Sequence, residues 1–319
     1  INTFYRDVGI KVKSNGNIIE DNICECSNIG IHLLNSSNNE ILNNTCEGGR
    51  EGIRLQRSTG NKVLNNTFKN CGIFLIDSYD NAVEGNTVNG KPLLYLENVS
   101  GAEVTDAGQV ILVNCKGVTV RNCNISRTTV GIYLWKSSNC IIENNKVLEN
   151  YFGISLSFST KNKILNNTCE DNGRGIHLWH SSRNIIINNT FKNCGLHVVE
   201  SYDNKVKRNT VNEKSLVYLE NVSGAEVTDA GQVILIKCKE ITIRDCDIHH
   251  ISTGIELWES SGCLIENNKI YKSSWDGIYL QNSLRNKILN NLFMDNWRSV
   301  RLLNSSENEI SNNIFNYHT

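Results

Sequence analysis

One asparagine-led tripeptide pattern returns along the chain at intervals of mostly 22 residues, and so short a period indicates a stack of similar turns. The first pattern begins at Asn44, Asn66, Asn145, Asn167, Asn189, Asn268, Asn291 and Asn313. A second pattern, Gly-Ile-x-Leu, begins at Gly30, Gly52, Gly131, Gly153, Gly175, Gly254 and Gly277. A third, Ser-x-x-Asn-x-Ile/Val, begins at Ser58, Ser159 and Ser283. Each turn therefore holds three short segments separated by Gly, Asn or Ser.

These segments predict β-strands, because apolar and polar residues alternate over only about four or five positions in each. No stretch carries the helical periodicity that a βαβ crossover needs. Short parallel strands without helices leave the β-helix as the main solution. The sequence thus predicts an all-β fold, a right-handed parallel β-helix with three sheets and about 14 coils of about 22 residues. We expect residues 1–319 to form a single β-helix domain.

The sequence also contains a repeat that is longer than one coil. Residues 43–140 match residues 166–263 without a gap, at a constant offset of 123 positions. Within this duplication, Tyr95–Leu112 is identical to Tyr218–Leu235, whereas the flanking coils differ more. Two explanations compete for this identity. One is recent gene conversion, and the other is a special coil that tolerates little change.

The repeated asparagines indicate a ladder at a corner of the coil. Stacked side-chain amides donate and accept hydrogen bonds along the axis, and asparagine tolerates the left-handed conformation of a tight corner. We therefore interpret them as structural, although Asn43, Asn65, Asn166 and Asn188 begin glycosylation sequons. Better candidates for glycosylation begin sequons in turns that we expect to be exposed: Asn35, Asn98, Asn221 and Asn304.

The chain has 12 cysteines, and their positions indicate small buried apolar residues. Cys24 and Cys46 occupy the slot that Phe68 fills elsewhere. Cys140 and Cys263 replace an apolar strand residue. Cys24-x-Cys26 is the closest spacing, which argues against a structural zinc site. Oxidation between Cys24 and Cys46 in adjacent coils stays an open alternative.

Charge and hydropathy exclude several classes of partner. The sequence has 32 Lys plus Arg and 33 Asp plus Glu. It therefore lacks the excess of basic residues that binding to nucleic acid or to an anionic membrane would favour. No run of about 18 apolar residues indicates a membrane span. The first residues, Ile1 to Arg6, do not resemble a signal peptide, so native targeting is not visible in this sequence.

The Asn-Asn-Thr corner, the Gly-Ile-x-Leu strand and the Tyr95–Leu112 block together resemble the NosD-like repeat proteins. These belong to the wider carbohydrate-binding and sugar-hydrolase β-helix superfamily. The block is similar to a coil of archaeal surface proteins, and the resemblance covers essentially the whole chain. It implies the fold and an extracellular or cell-surface location. It implies no single activity, because the superfamily includes lyases, hydrolases, epimerases, adhesins and periplasmic copper-maturation factors.

A search for catalytic groups favours a protein that is not an enzyme. Glycoside hydrolysis needs two facing carboxyl groups, and the sequence brings none together. The acids Asp77 and Asp80 fall in a turn slot and are repeated as Glu200 and Asp203. The Asp-Pro-His-Asp signature of β-helix epimerases is absent. We expect no catalytic residue and no cofactor.

The histidines give no stronger signal for a metal. His177 and His180 are close in sequence, and His249 and His250 are adjacent. A copper carrier needs converging soft or imidazole ligands, and Met294 is the single methionine. We expect no metal site.

The outward positions of the Gly-Ile-x-Leu strands are the best candidates for a binding surface. They predict a row of side chains that stacks on sugar rings: Tyr133, Trp135, His177, Trp179, Trp258 and Tyr279. The alternative is that Trp135, Trp179 and Trp258 fold over a corner and pack on turn atoms.

We therefore expect a non-catalytic, extracellular carbohydrate-binding or structural module of a cell-surface protein. One alternative is a polysaccharide-active lyase, hydrolase or epimerase, and another is a self-assembling sheath or filament component. The expected partners are a polysaccharide or surface glycan, together with flanking domains or neighbouring copies that cap the coil ends.

Overall fold

The structure is a computed structural model that describes residues 7–25 and 28–317, and this part of the chain contains strands but no helix. It is a parallel β-solenoid of about 14 turns of about 22 residues, as predicted. The predictions on residues 1–6 and on Cys26 lie outside the described residues. The chain divides into two compact units, residues 1–162 and residues 163–319.

The strands of unit 1 are β1 Val8–Val12, β2 Ile18–Glu20, β3 Ile23–Glu25, β4 Ile29–Leu34, β5 Glu40–Leu42, β6 Thr45–Glu47, β7 Glu51–Gln56, β8 Lys62–Leu64, β9 Thr67–Lys69, β10 Ile73–Ile76, β11 Ala82–Glu84, β12 Thr87–Val88, β13 Lys91–Glu97, β14 Glu103–Val104, β15 Gln109–Val113, β16 Thr119–Arg121, β17 Asn124–Ser126, β18 Val130–Trp135, β19 Ile141–Glu143, β20 Lys146–Leu148 and β21 Phe152–Ser157.

The strands of unit 2 are β22 Lys163–Leu165, β23 Thr168–Glu170, β24 Arg174–Trp179, β25 Ile185–Ile187, β26 Thr190–Lys192, β27 Leu196–Val199, β28 Lys205–Lys207, β29 Thr210–Val211, β30 Lys214–Glu220, β31 Glu226–Val227, β32 Ala230–Ile236, β33 Thr242–Arg244, β34 Asp247–His249, β35 Thr253–Trp258, β36 Leu264–Glu266, β37 Lys269–Tyr271, β38 Asp276–Gln281, β39 Lys287–Leu289, β40 Leu292–Met294, β41 Arg298–Leu303, β42 Glu309–Ser311 and β43 Ile314–Asn316.

Parallel pairing between successive coils builds three sheets at the start of unit 1. Their strand orders are β1-β4-β7-β10, β2-β5-β8-β11 and β3-β6-β9-β12. In the Gly-Ile-x-Leu strands the Ile and Leu point inward, and Ile31, Leu33, Ile53 and Leu55 are all 0% exposed. Stacked aliphatic files of this kind make each coil depend on its neighbours.

The chain reverses direction once inside each unit. In unit 1, β12 pairs antiparallel with β13 through a two-residue turn at Asn89 and Gly90, whose φ angles are 51° and 79°. Positive φ at both positions is the geometry of a type I′ hairpin. In unit 2, β29 and β30 pair antiparallel in the same way through Asn212 and Glu213. The coils before each turn are called here the leading stack, and those after it the returning stack.

The leading stack spans residues 8–88 in unit 1 and 163–211 in unit 2. The returning stack spans residues 91–157 in unit 1 and 214–316 in unit 2. In each unit the returning stack pairs in parallel again, as β13-β15-β18-β21 and β30-β32-β35-β38-β41. Its outward face packs beside the outward face of the leading stack, which creates an interface between stacks that the coil repeat alone does not predict.

Side chains from the returning stack complete the last leading strand. In unit 1, Gln109 Oε1 accepts the Ile73 N–H at 2.9 Å, and Gln109 Nε2 donates to the Ile73 carbonyl at 2.7 Å. In unit 2, Gln232 makes the same two contacts with Leu196, at 3.0 and 2.6 Å. The glutamine amide thus supplies the donor and acceptor that a further coil would supply, so the strand edge has no unpaired groups there.

A glutamate of the returning stack makes a second contact that closes the end of the leading stack. Glu97 accepts the Asp80 N–H at 2.8 Å and the Tyr95 hydroxyl at 2.5 Å. Glu220 repeats both contacts in unit 2, with the Asp203 N–H at 2.8 Å and the Tyr218 hydroxyl at 3.0 Å. These glutamates, tyrosines and glutamines all belong to the identical blocks. The structure therefore favours the special coil as the reason for the sequence identity.

The asparagine ladder is confirmed. Asn44 donates from its backbone N–H and from Nδ2 to Asn66 Oδ1, at 2.9 and 3.0 Å. Asn66 makes the same two bonds to Asn86 Oδ1, at 2.8 and 3.0 Å. These side chains are buried, so the ladder satisfies amide groups that would otherwise be costly to remove from water.

The cysteines of the described residues are buried, as expected. Cys24 lies directly beside Cys46 in the strand register, and Cys46 lies beside Phe68. Cys140 occupies a position that we expected to be an ordinary apolar strand site. It lies in a ladder column instead, because its backbone N–H donates to Asn162 Oδ1 at 2.9 Å.

Candidate functional site

Four of the predicted outward residues lie against a neighbouring stack rather than in solvent. Tyr133 and Trp135 are 4% and 5% exposed, and Trp258 and Tyr279 are 4% and 7% exposed. The expectation of an exposed aromatic stripe is therefore wrong for these residues. The reason is the chain reversal, which covers this face of each returning stack with the leading stack of the same unit.

The other two predicted residues lie on the leading stack of unit 2. Trp179 is 37% exposed, and its ring centroid lies 5.1 Å from that of His180. His177 is half-buried, and its ring stacks on His197 at a centroid distance of 5.5 Å. Burial, and then the charges of Arg174 and His197, hold the pKa of His177 well below its ordinary value. His177 is therefore neutral at pH 7.

In unit 1 the two stacks meet through aromatic rings. The Phe74 ring centroid lies 6.0 Å from that of Tyr133 and 6.1 Å from that of Phe152. The Arg50 guanidinium lies over the Tyr151 ring, 3.4 Å from its centroid. Burial raises the pKa of Tyr133 to about 12. This interface is a hydrophobic core closed at its edge by a cation–π contact.

In unit 2 the same positions carry titratable side chains. The replacements are His197 for Phe74, Glu256 for Tyr133 and Asp276 for Phe152. The first two pairs of positions are separated by the constant offset of the duplication. The third pair is matched by its place in the strand register. Buried ionisable groups cost free energy unless they are paired. Since unit 1 packs the same interface with rings, the fold does not require these charges.

Glu256 is 0% exposed and accepts three hydrogen bonds. His197 Nδ1 lies 2.8 Å from Glu256 Oε1, while Trp258 Nε1 and the Val198 N–H donate to Oε2 at 3.3 and 3.4 Å. The contact through Nδ1 holds the His197 ring in one orientation. Glu256 therefore orients His197 and also closes the open edge of β27.

Asp276 is the second buried carboxylate of this interface, at 4% exposure. Arg298 donates to its two oxygens from Nε at 2.5 Å and from Nη2 at 3.2 Å. Arg301 Nη1 lies 3.8 Å from Asp276 Oδ2, which is an ion pair beyond hydrogen-bond distance. One carboxylate thus faces two guanidinium groups.

His197, Asp276 and Arg301 line a cavity of about 280 Å³ in unit 2. Its wall includes Arg174, His197, Trp275, Asp276, Tyr279 and Arg301. Two of the aromatic rings lie beneath guanidinium groups, at 4.5 Å from the Trp275 centroid for Arg174 and 5.2 Å from the Tyr279 centroid for Arg301. A concave site with aromatic walls and a few directed polar groups is the usual form of a small-ligand site.

A shallower groove of about 520 Å³ lies at the next corner of the returning stack. Trp297 and Tyr317 line it and are 67% and 58% exposed. Trp297 lies one coil beyond Trp275, since Arg298 donates its backbone N–H to the Trp275 carbonyl at 3.0 Å. Large exposed rings beside a polar cavity extend the surface that a ligand could contact.

The predicted glycosylation positions lie at the surface. Asn35, Asn98, Asn221 and Asn304 are exposed and adopt positive φ angles of 51°, 58°, 56° and 48°. Their exposure agrees with the expectation, and modification stays a prediction. The corner asparagines Asn43, Asn65, Asn166 and Asn188 are exposed as well, next to the buried ladder residues.

The described residues hold no group of three or more His, Cys, Asp and Glu side chains placed to bind a metal ion. His249 and His250 lie close, with their Nδ1 atoms 3.1 Å apart, and the His249 ring stacks on Tyr271 at 5.1 Å. In residues 7–25 and 28–317 there is also no helix long and apolar enough to cross a membrane.

Sequence reasoning missed most of this site. It gave no role to Glu256, and it overlooked His197, Asp276, Arg174 and Arg301. A signal was present in the duplication, where Phe becomes His at position 197 and Tyr becomes Glu at position 256. Exchanges of rings for charges at matched positions mark a changed environment.

Fold and site together define a β-solenoid protein with a polar cavity between stacked coils. The chain belongs to the family described as right handed beta helix region, whose model matches residues 108–239 and 217–319. Residues 2–108 match the model described as periplasmic copper-binding protein (NosD). The chain is thus a NosD-like right-handed β-helix repeat protein. No curated protein sequence matches it.

Several solved structures are similar at low identity. A mutant of the periplasmic alginate epimerase AlgG is 11% identical over 92% of this chain and 78% of that chain, with a TM-score of 0.38. The A-module of mannuronan C-5 epimerase AlgE4 from Azotobacter vinelandii is 12% identical over 91% and 88%, with a TM-score of 0.29. PfbA, a surface adhesin of Streptococcus pneumoniae, is 14% identical over 89% and 85%, with a TM-score of 0.30. These likenesses carry no argument about function.

Proposed function

We propose that this chain is a non-catalytic carbohydrate-binding module of an extracellular or cell-surface protein. Its glycan site is the unit 2 cavity, and the exposed ring of Trp297 extends that site. The observation that carries the proposal is the contrast between the units. Positions filled by Phe74 and Tyr133 in unit 1 are His197 and Glu256 in unit 2. His197 borders a cavity there, and the buried Glu256 contacts its ring from behind.

The composition of the cavity wall suits a sugar. Aromatic rings such as Trp275 and Tyr279 offer flat apolar faces to the C–H faces of a sugar ring. Asp276, Gln281 and Arg301 offer acceptors and donors to hydroxyl groups. Most of these groups stand on strands rather than loops, so the site is pre-formed and little ordering opposes binding.

The first test is a glycan array with the full chain, run beside an assay for newly released sugar ends on the same polysaccharides. We expect binding without release. The Trp275→Ala variant should bind at least about 10-fold more weakly, because it removes one ring worth about 1.4 kcal/mol or more of contact.

The duplication offers a matched control. Tyr151→Ala removes the ring at the equivalent position of unit 1, where Arg50 stacks, and should leave glycan affinity unchanged. Both variants are checked for folding by thermal unfolding. Equal affinity of wild type and Trp275→Ala, or equal loss in the two variants, would exclude this cavity as the site.

A second candidate function is a polysaccharide-active enzyme, and the His197–Glu256 contact favours it. A buried carboxylate that holds Nδ1 of a histidine leaves Nε2 able to act as a general base. The release assay separates the two candidates. Product that accumulates with time and vanishes when His197 is replaced would favour the enzyme and overturn the non-catalytic proposal.

A further inference from the structure

We infer that the ligand is a chain of several sugar units, of which one part fills the unit 2 cavity and the next part lies on Trp297. This inference rests on the proposed function and names the size class of its ligand. The observation behind it is that the cavity and the neighbouring groove, both with aromatic walls, meet at one corner of the returning stack. Trp275 and Tyr279 line the cavity. Trp297 and Tyr317 line the groove.

The cavity alone is too small for a long glycan. Its volume of about 280 Å³ lies just below the range of roughly 300–1,000 Å³ that is usual for small-ligand sites. The groove offers about 520 Å³ beside it. A short glycan therefore fills the cavity, whereas a longer one continues beyond the cavity wall.

The cavity and the groove are neighbours along the chain and across the coils. Ser274 lines the groove, and the next residue, Trp275, lines the cavity. On the following coil Trp297 lines the groove, and the next residue, Arg298, donates its backbone N–H to the Trp275 carbonyl at 3.0 Å. Arg298 also binds Asp276 in the cavity wall, with Nε 2.5 Å from Oδ1. The backbone bond and the ion pair therefore hold the groove at a fixed place beside the cavity.

The rings of the groove are placed to bind without rearrangement. Trp297 is 67% exposed, so most of its ring surface is available for contact. The Tyr317 hydroxyl lies 3.0 Å from Ser299 Oγ, and this contact holds the tyrosine ring at the groove wall. Successive coils lie about 4.8 Å apart, which is close to the length of one unit in a sugar chain. Rings on two coils can therefore contact different units of one chain.

The test compares short and long fragments of the same polysaccharide by isothermal titration with the full chain. The probes are disaccharides and hexasaccharides of cellulose, chitin, mannan and polygalacturonate, together with those of any polysaccharide that the array detects. We expect the hexasaccharide of at least one pair to bind more than about 10-fold more tightly than the disaccharide.

Two substitutions separate the cavity from the groove. Trp297→Ala should weaken hexasaccharide binding at least about 10-fold and leave disaccharide affinity unchanged, because only the longer ligand reaches this ring. Trp275→Ala should weaken binding of both. Trp297→Phe keeps a smaller ring and should retain part of the hexasaccharide affinity. Thermal unfolding of each variant checks that it folds.

Tyr79→Ala is the matched control, since it removes an exposed ring from unit 1 and should leave both affinities unchanged. Equal affinity for the disaccharide and the hexasaccharide overturns the inference and leaves the proposed function intact. Hexasaccharide affinity that is unchanged in Trp297→Ala overturns it as well, and altered sedimentation of that variant would then assign the ring to contact between copies of this chain. Absence of binding to every fragment and on the array overturns both the inference and the proposed function.

Discussion

Glu256 and Tyr133 occupy the same position of two matched coils, yet their surroundings differ in kind. Tyr133 lies among rings, whereas Glu256 receives donors from His197 and Trp258. A lone carboxylate at this depth would be too costly, so each exchange in unit 2 required another beside it. The charged residues of this interface therefore form one set rather than independent substitutions.

The first prediction concerns His177, whose pKa is lowered by burial, then by Arg174 and His197. The unfolded chain binds a proton near pH 6.5, whereas folded His177 resists it. The free energy of unfolding should therefore fall by up to about 1.4 kcal/mol per pH unit as the pH drops below about 6.5. Urea unfolding between pH 7.5 and pH 5 measures this slope.

His177→Gln removes the titrating group and should flatten that part of the slope. The carboxylates titrate mainly at lower pH, so they contribute less in this window. A slope that is unchanged in His177→Gln would show that His177 is not the group whose protonation opposes folding.

At the scale of the strand, the closure of an open edge decides where a leading stack can stop. Gln109 and Gln232 place an amide where the next strand would pair, and Asn89–Gly90 supplies the turn that returns the chain. These features fall in or beside the block that is identical between the copies. Most coils need only their aliphatic files and ladders, so they are free to diverge.

The second prediction is that Gln109→Leu lowers the free energy of unfolding by about 2–4 kcal/mol, because the Ile73 N–H and carbonyl lose their partner in a buried place. Amide hydrogen exchange at Ile73 should accelerate with it. Glu103→Gln, an exposed change in the same returning stack, is the control and should stay within about 0.5 kcal/mol. Unchanged protection of Ile73 in Gln109→Leu would contradict the closure.

At the scale of the whole molecule, the repeat predicted the coil, the inward Ile and Leu files and the asparagine ladder, because each depends only on neighbours one period away. The reversal was not predicted, because strands alternate in the same way in either direction. Only the short turns at Asn89–Gly90 and Asn212–Glu213 mark it, and no β-helix repeat requires such a turn. The reversal buries Trp135 and Trp258, so the prediction that these side chains are exposed was wrong.

If the unit 2 cavity binds the glycan as proposed, the charged residues around it should lower the stability of unit 2 relative to a packing of rings. Replacing a buried charged set by packed rings is often stabilising by about 1–4 kcal/mol, and unit 1 provides the rings that fit. The third prediction is therefore that His197→Phe, Glu256→Tyr and Asp276→Phe, combined in one chain, raise the unfolding temperature of unit 2 and abolish glycan binding.

Calorimetry and glycan titration on the same preparation measure both effects. The reciprocal set in unit 1, Phe74→His with Tyr133→Glu and Phe152→Asp, is the control and should destabilise unit 1 while leaving the glycan affinity of unit 2 unchanged. If the combined unit 2 variant is more stable and still binds the glycan, the charged residues do not take part in glycan binding. A variant that is less stable would mean that the charges serve packing, because rings in unit 2 then fit worse than the residues they replace.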